Sequence, residues 1–176
     1  LLESPGGALW MREGNASFQR ASHWNWGDLN GTEPADSAFI QWLVSKQWVV
    51  DLDEMQTRRD LYGDLDAPAW IRQSEDAWLV VPLMLHDELL GFVVLKHSLG
   101  NVTFNWEVSD LLKVAARQAA AHLAQMRASN QLIVARQFES FNRTTTFIIH
   151  DLKNLVAQLS LLLANAEKHK HNPEFQ

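Results

Sequence analysis

The central part of the chain reads AWLVVPLML at 77–85, HDE at 86–88 and LLGFVVLK at 89–96. Two apolar runs of strand length, separated by a short polar segment, are typical of a β-hairpin. Because the residues on both faces of each run are apolar, we expect both strands to be buried on both sides. The sequence therefore predicts a hairpin of two buried strands, Ala77–Leu85 and Leu89–Lys96.

The sequence before this hairpin predicts further strands, one helix and a loop. Two strands, Gly7–Arg12 and Ala16–Trp24, are joined by a turn that contains glycine. Apolar residues at helical spacing predict a helix over Pro34–Lys46. A short β-branched strand follows over Trp48–Asp51, and the polar stretch Glu54–Gln73 predicts a loop with a weak helical turn. These elements, with the hairpin and a closing helix, predict an α+β sandwich.

The composition changes after residue 105. No glycine or proline occurs between Trp106 and Lys170, as a long helical region requires. The predicted fold class is therefore α+β, an antiparallel sheet with flanking helices that is followed by a long C-terminal coiled-coil helix.

A heptad pattern runs along the second half of this predicted helix. Its residues step by alternating four and three positions, which is the spacing of a coiled coil or a four-helix bundle. An upstream pattern that ends at Ile133 follows the same rule in a register one residue different. Since such a seam needs a partner helix, we expect a homodimer. The dimer seam is predicted at Phe138, Phe141, Ile148, Leu152, Leu155 and Leu159.

Two segments around the central hairpin resemble the GAF domain, a small-molecule sensing module related to PAS. Leu79-Val80-Val81-Pro82-Leu83 followed by Leu90-Gly91-Phe92-Val93-Val94-Leu95 resembles the hairpin of that family. Residues 104–120 resemble its C-terminal helix, and the resemblance covers about the first 125 residues. It implies a GAF/PAS-like antiparallel sheet with flanking helices and a sensory role.

A second resemblance concerns His150, which lies nearly opposite the seam on a helical wheel. By geometry alone, an ordinary surface histidine is the simpler interpretation. The segment His150-Asp151-Leu152-Lys153-Asn154 nevertheless resembles the H-box of sensor histidine kinases. This resemblance implies that His150 is the phosphoacceptor, Asp151 the general base and Asn154 the residue that orients water in a phosphatase reaction. Leu155 stands where many H-boxes carry proline.

The two resemblances predict three segments. Residues 1–125 form a GAF-like sensor domain, 126–146 a signalling helix or coiled-coil linker, and 147–176 the first helix of a dimerisation and phosphoacceptor domain. We expect the sequence to be a piece of a longer protein that resembles the sensor kinases of exosortase (PEP-CTERM) systems. That implies a cytoplasmic domain whose parent is anchored in the inner membrane.

The kinase resemblance also implies a set of partners. They are a second copy of the chain, a response regulator receiver domain and the kinase's own ATP-binding domain. ATP and Mg²⁺ would act through that ATP-binding domain, which the sequence lacks, so this fragment alone is not expected to be a competent enzyme and no cofactor is expected within it. The alternative is a non-catalytic GAF module that binds a ligand or dimerises in another signalling protein.

Eight tryptophans suggest where a small molecule would bind. Trp24, Trp26, Trp70 and Trp78 fall in the segments that would surround a GAF pocket, with Arg72 nearby in sequence. Aromatic walls with a cationic end suit a planar or anionic metabolite, whose identity the sequence does not give. The competing interpretation is that the tryptophans fill the core.

Composition excludes several classes of protein and site. Cysteine is absent, which excludes disulfides, thiolate nucleophiles, Cys-ligated metals and thiol-linked chromophores. A net charge of -6 argues against binding nucleic acid through a basic surface. No metal site is expected, because His86, His97 and His122 are isolated. Asp51, Asp53 and Glu54 are interpreted as a solvent-facing acidic loop.

Overall fold

The computed structural model divides the chain into two units, Leu1–Met126 and Arg127–Gln176. The structure describes the backbone of residues 4–27, 29–63, 65–100 and 104–169. It describes the side chains of the same residues except 138–152 and 154–169. The finer division of the second unit into a linker and a phosphoacceptor helix stays a prediction.

A six-stranded antiparallel sheet forms the centre of the first unit. Its strands are β1 (Gly7–Glu13), β2 (Ser17–Trp24), β3 (Thr32–Pro34), β4 (Val50–Asp51), β5 (Ala77–Leu85) and β6 (Glu88–Lys96). Their order across the sheet is β3-β2-β1-β6-β5-β4. The two hairpins predicted from the sequence, β1–β2 and β5–β6, are confirmed, and they occupy the middle four positions.

Helices of very different lengths accompany the sheet. They are α1 (Ala38–Lys46), α2 (Leu52–Thr57), α3 (Arg59–Tyr62), α4 (Ala69–Arg72) and α5 (Trp106–His169). The helix predicted from Pro34 begins only at Ala38, because Ser37 is its N-cap and accepts a hydrogen bond from the Ile40 N–H at 3.3 Å. Pro34 itself ends β3.

The stretch Glu54–Gln73, predicted as a loop with a weak helical turn, is more helical than expected. It contains the end of α2 and the whole of α3 and α4. α3 and α4 have four residues each, which is too short for a hydrophobic period to be recognised in the sequence. The strand β3 has three residues and was missed for the same reason.

The long helix predicted from the absence of glycine and proline is confirmed as α5. It begins where the Asn105 side chain accepts a hydrogen bond from the Val108 N–H at 2.9 Å. Of the helices in the described part of the chain, none combines the length and apolarity that crossing a membrane requires.

Both faces of the sheet are packed. Because successive side chains of a strand point to opposite faces, Ala8 and Trp10 of β1 join one apolar cluster and Met11 joins another. The first cluster includes residues of α1, α2 and α4. The second includes Ala116 and Ala120 of α5. The sheet therefore separates an aromatic-rich face from a face that is covered by the beginning of α5.

Candidate functional site

The five residues predicted to surround a ligand are not all brought together. Trp26 is buried, and the half-buried Trp70 packs against the same cluster on one face of the sheet. Trp78 is buried in the cluster on the opposite face. The side chain of Trp24 is 46% exposed. Only two of the four predicted tryptophans therefore share a cluster.

Arg72, the predicted cationic end of the pocket, lies in the last turn of α4. Its guanidinium is 3.4 Å from the carboxylate of Asp66, and both side chains are largely exposed. An exposed ion pair of this kind contributes little to stability. Arg72 is thus at the surface, where it is available to a ligand but already paired.

An aromatic cluster of five rings fills the interior on the first face of the sheet. Phe92 of β6 is fully buried at its centre and stacks on Trp10, with ring centroids 5.6 Å apart and planes 2° apart. Trp70 lies 4.6 Å from Trp10, and Phe18 and Phe39 each lie 5.9 Å from Phe92. These rings pack against one another and fill the interior on this face of the sheet.

Polar contacts fix the two indoles of this cluster. The Trp10 Nε1–H donates to the carbonyl oxygen of Gly31 at 2.8 Å, and the Trp70 Nε1–H donates to Glu33 Oε2 at 3.2 Å. The Trp70 ring lies against Gly31, where any side chain would overlap the indole. The buried carboxylate of Glu33, which the sequence analysis missed, therefore holds the ring that covers this face.

A second group of polar residues surrounds the start of α2. Asp51 is buried and its Oδ1 accepts hydrogen bonds from the N–H groups of Asp53 and Glu54, each at 3.0 Å. The Tyr62 hydroxyl donates to Glu54 Oε2 at 2.9 Å. The interpretation of Asp51 as a solvent-facing residue is therefore wrong, because it is the N-cap of a helix that the sequence did not predict.

Burial raises the pKa of Asp51 above its ordinary value of 3.8, and the two cap hydrogen bonds oppose that shift. The charges of Asp53 and Glu54 raise it further. The folded state therefore binds a proton at Asp51 more tightly than the unfolded chain does. It follows that the contribution of this residue to stability grows as the pH falls through its raised pKa.

Asp51→Ala is expected to lower the free energy of unfolding by about 1–2 kcal/mol, because it removes the acceptor for two helix N–H groups. Asp51→Asn keeps an acceptor oxygen and is expected to change the free energy of unfolding by less than about 0.5 kcal/mol at pH 7. Urea unfolding from pH 7 to pH 4 checks both. The wild type should gain stability relative to Asp51→Asn as the pH falls, and the opposite trend would contradict the assigned direction.

Two neighbouring clefts open beside α1 and α3. The first, of about 720 Å³, is lined by Ala38, Gln41, Trp42, Ser45, Lys46, Asp60, Leu61, Tyr62, Gly63 and Leu65. The second, of about 670 Å³, is lined by Arg59, Asp60, Gly63, Leu65, Asp66 and Arg72. Both are wide and carry charges of either sign, so they suit a polar ligand more than an apolar one.

Trp42 and Tyr62 are the aromatic residues of the first cleft, and sequence reasoning missed both. Their rings stack with centroids 5.9 Å apart. The sequence carries no signal for this contact. A region predicted mainly as loop, as α2–α4 was, gives no basis for placing Tyr62 beside α1. In the part of the chain that the structure describes, no group of three His, Asp or Glu side chains is arranged to hold a metal ion.

The predicted phosphoacceptor residues lie within the helical backbone of α5. The side chains of His150, Asp151 and Asn154 lie outside those that the structure describes. The same holds for the predicted seam at Phe138, Phe141, Ile148, Leu152, Leu155 and Leu159. Their roles stay predictions.

Comparison with known proteins identifies a related fold for the first part of the chain. The sequence model described as "GAF domain" matches residues 1–123. No curated protein gives a significant match. The architecture is similar to that of a GAF domain/HD domain protein from Geobacter sulfurreducens, with a TM-score of 0.54 and 14% identity over 72% of this chain and 85% of that chain.

Two further solved structures have a similar architecture. Residues 122 to 287 of a methyl-accepting chemotaxis protein give a TM-score of 0.51 and 16% identity, over 73% of this chain and 82% of that chain. The GAF domain of a two-component sensor histidine kinase from Bacillus halodurans gives a TM-score of 0.51 and 13% identity, over 74% of this chain and 88% of that chain. At these identities the likeness is one of fold.

Proposed function

Because the chain belongs to the GAF domain family, a family of signalling sensor domains, we propose that it is the sensor portion of a two-component histidine kinase. In this proposal the GAF domain relays a signal along α5 to the phosphoacceptor His150. His150 receives phosphate from ATP that is bound to a separate domain, and passes it to an aspartate of a response regulator.

The observation that carries this proposal is the position of the sequence HDLKN at 150–154. It lies on α5, whose helical backbone follows the last strand of the sensor sheet, begins at Trp106 and runs to His169. A phosphoacceptor that shares one helix with a sensor domain can be rotated or displaced by events in that domain. The solved GAF domain from a Bacillus halodurans sensor histidine kinase gives the fold a precedent in this class.

The proposed chemistry follows from the residue types at 150–154. A ring nitrogen of His150 attacks the γ-phosphorus of ATP, so that an N–P bond forms while the bond from phosphorus to the ADP oxygen breaks. Asp151 accepts the proton of the other ring nitrogen and so raises the nucleophilicity of the imidazole. In a separate phosphatase reaction, the amide of Asn154 orients a water molecule that attacks the aspartyl phosphate of the receiver, so that inorganic phosphate leaves and the aspartate carboxylate is restored.

Dimerisation forms part of the same proposal. The described portion of α5 exposes several large apolar side chains: Leu111, Val114, Met126, Leu132, Ile133 and Val134. Apolar side chains on a helix surface favour pairing with a second helix. The predicted seam from Phe138 to Leu159 would continue that pairing past the phosphoacceptor.

The narrower proposal is a kinase of the exosortase (PEP-CTERM) type. It implies a cytoplasmic domain in a parent that is anchored in the inner membrane, and a receiver-containing activator as partner. What supports it is the combination of a tryptophan-rich GAF domain with HDLKN, since eight tryptophans occur in this chain.

The test is to incubate the natural full-length protein with radiolabelled ATP and to follow the stability of the label. Phosphohistidine is expected, and its N–P bond is lost in acid and kept in base. Label that survives acid, or no label at all, would overturn the proposal. Addition of the cognate receiver should move the label to that protein within minutes.

The second candidate is a non-catalytic GAF module whose helix only dimerises. The apolar surface of α5 favours it, since this surface is needed for dimerisation whether or not His150 is phosphorylated. Replacement of His150 distinguishes the two candidate functions. A non-catalytic module retains its signalling output when His150 is replaced, whereas the kinase loses it.

A further inference from the structure

A third cleft, of about 220 Å³, lies on the other side of Tyr62, next to the beginning of α5. Four aromatic residues line it: Trp48, Tyr62, Phe104 and Trp106. They come from three separate parts of the first unit, namely the segment before β4, the end of α3 and the start of α5. We call this cleft the aromatic cleft.

Two of its rings are unusually exposed for tryptophan. Trp48 is 44% exposed and Trp106 is 74% exposed. Large aromatic side chains that remain in contact with water commonly mark a site of interaction. The position of the Trp48 ring is also stabilised by an edge-on contact with the Trp42 ring, with centroids 6.1 Å apart. Phe104 meets Trp78 in the same way at 6.4 Å.

The aromatic cleft carries an acidic group that no cation neutralises. Glu54 lines it and is half-buried, and its hydrogen-bond partner is the neutral hydroxyl of Tyr62 at 2.9 Å. Among the described residues no ion pair involves Glu54. The cation that lines the cleft, Lys113, is 3.4 Å from the carboxylate of Asp110. When Asp110 is counted with the lysine that it pairs, the charged groups at the cleft sum to one negative charge.

The Tyr62 hydroxyl lies beside the carboxylate of Glu54. Its pKa is raised above the ordinary value of 10.0, first by burial and then by the hydrogen bond that it donates to Glu54. The charges of Glu54 and Asp51 raise it further. A negative potential at the Tyr62 hydroxyl opposes a phenolate and favours any cation that enters from the cleft.

We propose that the aromatic cleft binds a small organic cation of the quaternary ammonium class. Aromatic faces attract such cations through their quadrupole, and walls of several rings with one carboxylate are the arrangement that recognises them. A cleft of about 220 Å³ is smaller than the roughly 300–1,000 Å³ of pockets for drug-sized ligands. It therefore suits a compact methylated ammonium group better than a nucleotide.

The position of the site links its occupant to α5. Asn105, Trp106, Ser109 and Lys113 line the cleft together with Glu54 on α2. An occupant would contact the first turns of α5 and the α2–α3 segment at once. The inference goes beyond the proposed kinase role, because it concerns a ligand of the first unit and holds whichever output α5 serves.

The test measures direct binding of choline to this chain. Binding is detected by saturation-transfer NMR at the choline methyl protons and by tryptophan fluorescence, both at constant ionic strength. The neutral isostere 3,3-dimethylbutan-1-ol serves as the matched ligand. We expect choline to bind at least about tenfold more tightly than the alcohol, because only choline carries the charge. Equal binding of the two, or no saturation transfer to choline, would overturn the proposal.

Variants of the lining residues place the site. Glu54→Gln keeps an acceptor for Tyr62 and is expected to weaken choline binding at least about tenfold. Trp106→Leu should weaken it comparably, and because Trp106 is 74% exposed this variant does not threaten folding. Leu99→Ala and Glu88→Gln change exposed residues outside the cleft, and both variants should bind choline as the wild type does. Equal losses in these controls would contradict the site.

This experiment measures ligand binding and no phosphate transfer. Choline binding by this chain, together with no acid-labile label on the natural full-length protein, would refute the kinase proposal alone. Phosphohistidine on the full-length protein, together with no choline binding, would refute the ligand proposal for the aromatic cleft alone.

Discussion

His150→Gln is expected to abolish the acid-labile phosphate on the protein, to below about one hundredth of the wild-type level. Glutamine has a similar length and can form hydrogen bonds, but its amide nitrogen is not a nucleophile. No other group in HDLKN can form an acid-labile N–P bond with the same ease. The change therefore removes the bond-forming atom and leaves the helix sequence otherwise intact. Phosphate transfer to the receiver should disappear with the label.

The matched control is His122→Gln. His122 also lies on α5 and is exposed, so it tests whether loss of any surface histidine affects the reaction. The amount of acid-labile phosphate on His122→Gln is expected to equal that on the wild type. Wild-type labelling in His150→Gln would refute the assignment of the phosphoacceptor, and a loss in His122→Gln would show that the assay reports helix integrity instead.

Phe92→Ala is expected to lower the free energy of unfolding by about 3–5 kcal/mol. Phe92 is fully buried and contacts Trp10, Phe18, Phe39 and Trp70 at ring-centroid distances of 5.6–6.4 Å. Removing it leaves a ring-sized cavity and takes away four aromatic contacts together. Because stable domains have only about 5–15 kcal/mol in total, the loss is a large part of the stability.

Urea unfolding followed by tryptophan fluorescence measures this loss, because Trp10 and Trp70 are part of the same cluster. Leu99→Ala is the control, since Leu99 is 84% exposed and an exposed truncation changes stability by less than about 0.5 kcal/mol. A loss below about 1 kcal/mol for Phe92→Ala would mean that the cluster collapses to refill the space.

The hairpin β5–β6 was predictable because its apolar runs are long and continuous, which leaves few alternatives for the chain. The strand β3 and the helices α3 and α4 were not, because elements of three or four residues are fixed by tertiary contacts and carry no period of their own. α2 begins at Asp51 through side-chain capping, and one carboxylate before a polar stretch is a weak signal in the sequence.

The tryptophan pocket shows where strand periodicity stops being informative. Alternation predicts one face for each side chain, but the pairing of β5 with β6 shifts register between Ala77 and Leu79. Trp78 and Leu79 consequently both belong to the second cluster, although they are adjacent. A bulge of this kind is set by the partner strand, so the sequence of β5 alone does not reveal which face Trp78 joins.

The position of Trp70 has an energetic consequence for anything that enters the aromatic face. The indole covers Gly31 and is tied to Glu33, so a molecule can occupy that space only in the fraction of the protein whose ring has swung out. The apparent dissociation constant equals the intrinsic one divided by that open fraction. Every 1.4 kcal/mol or so that holds the ring closed therefore weakens binding about tenfold. The packing of Trp70 would thus raise the concentration at which any ligand of this face binds.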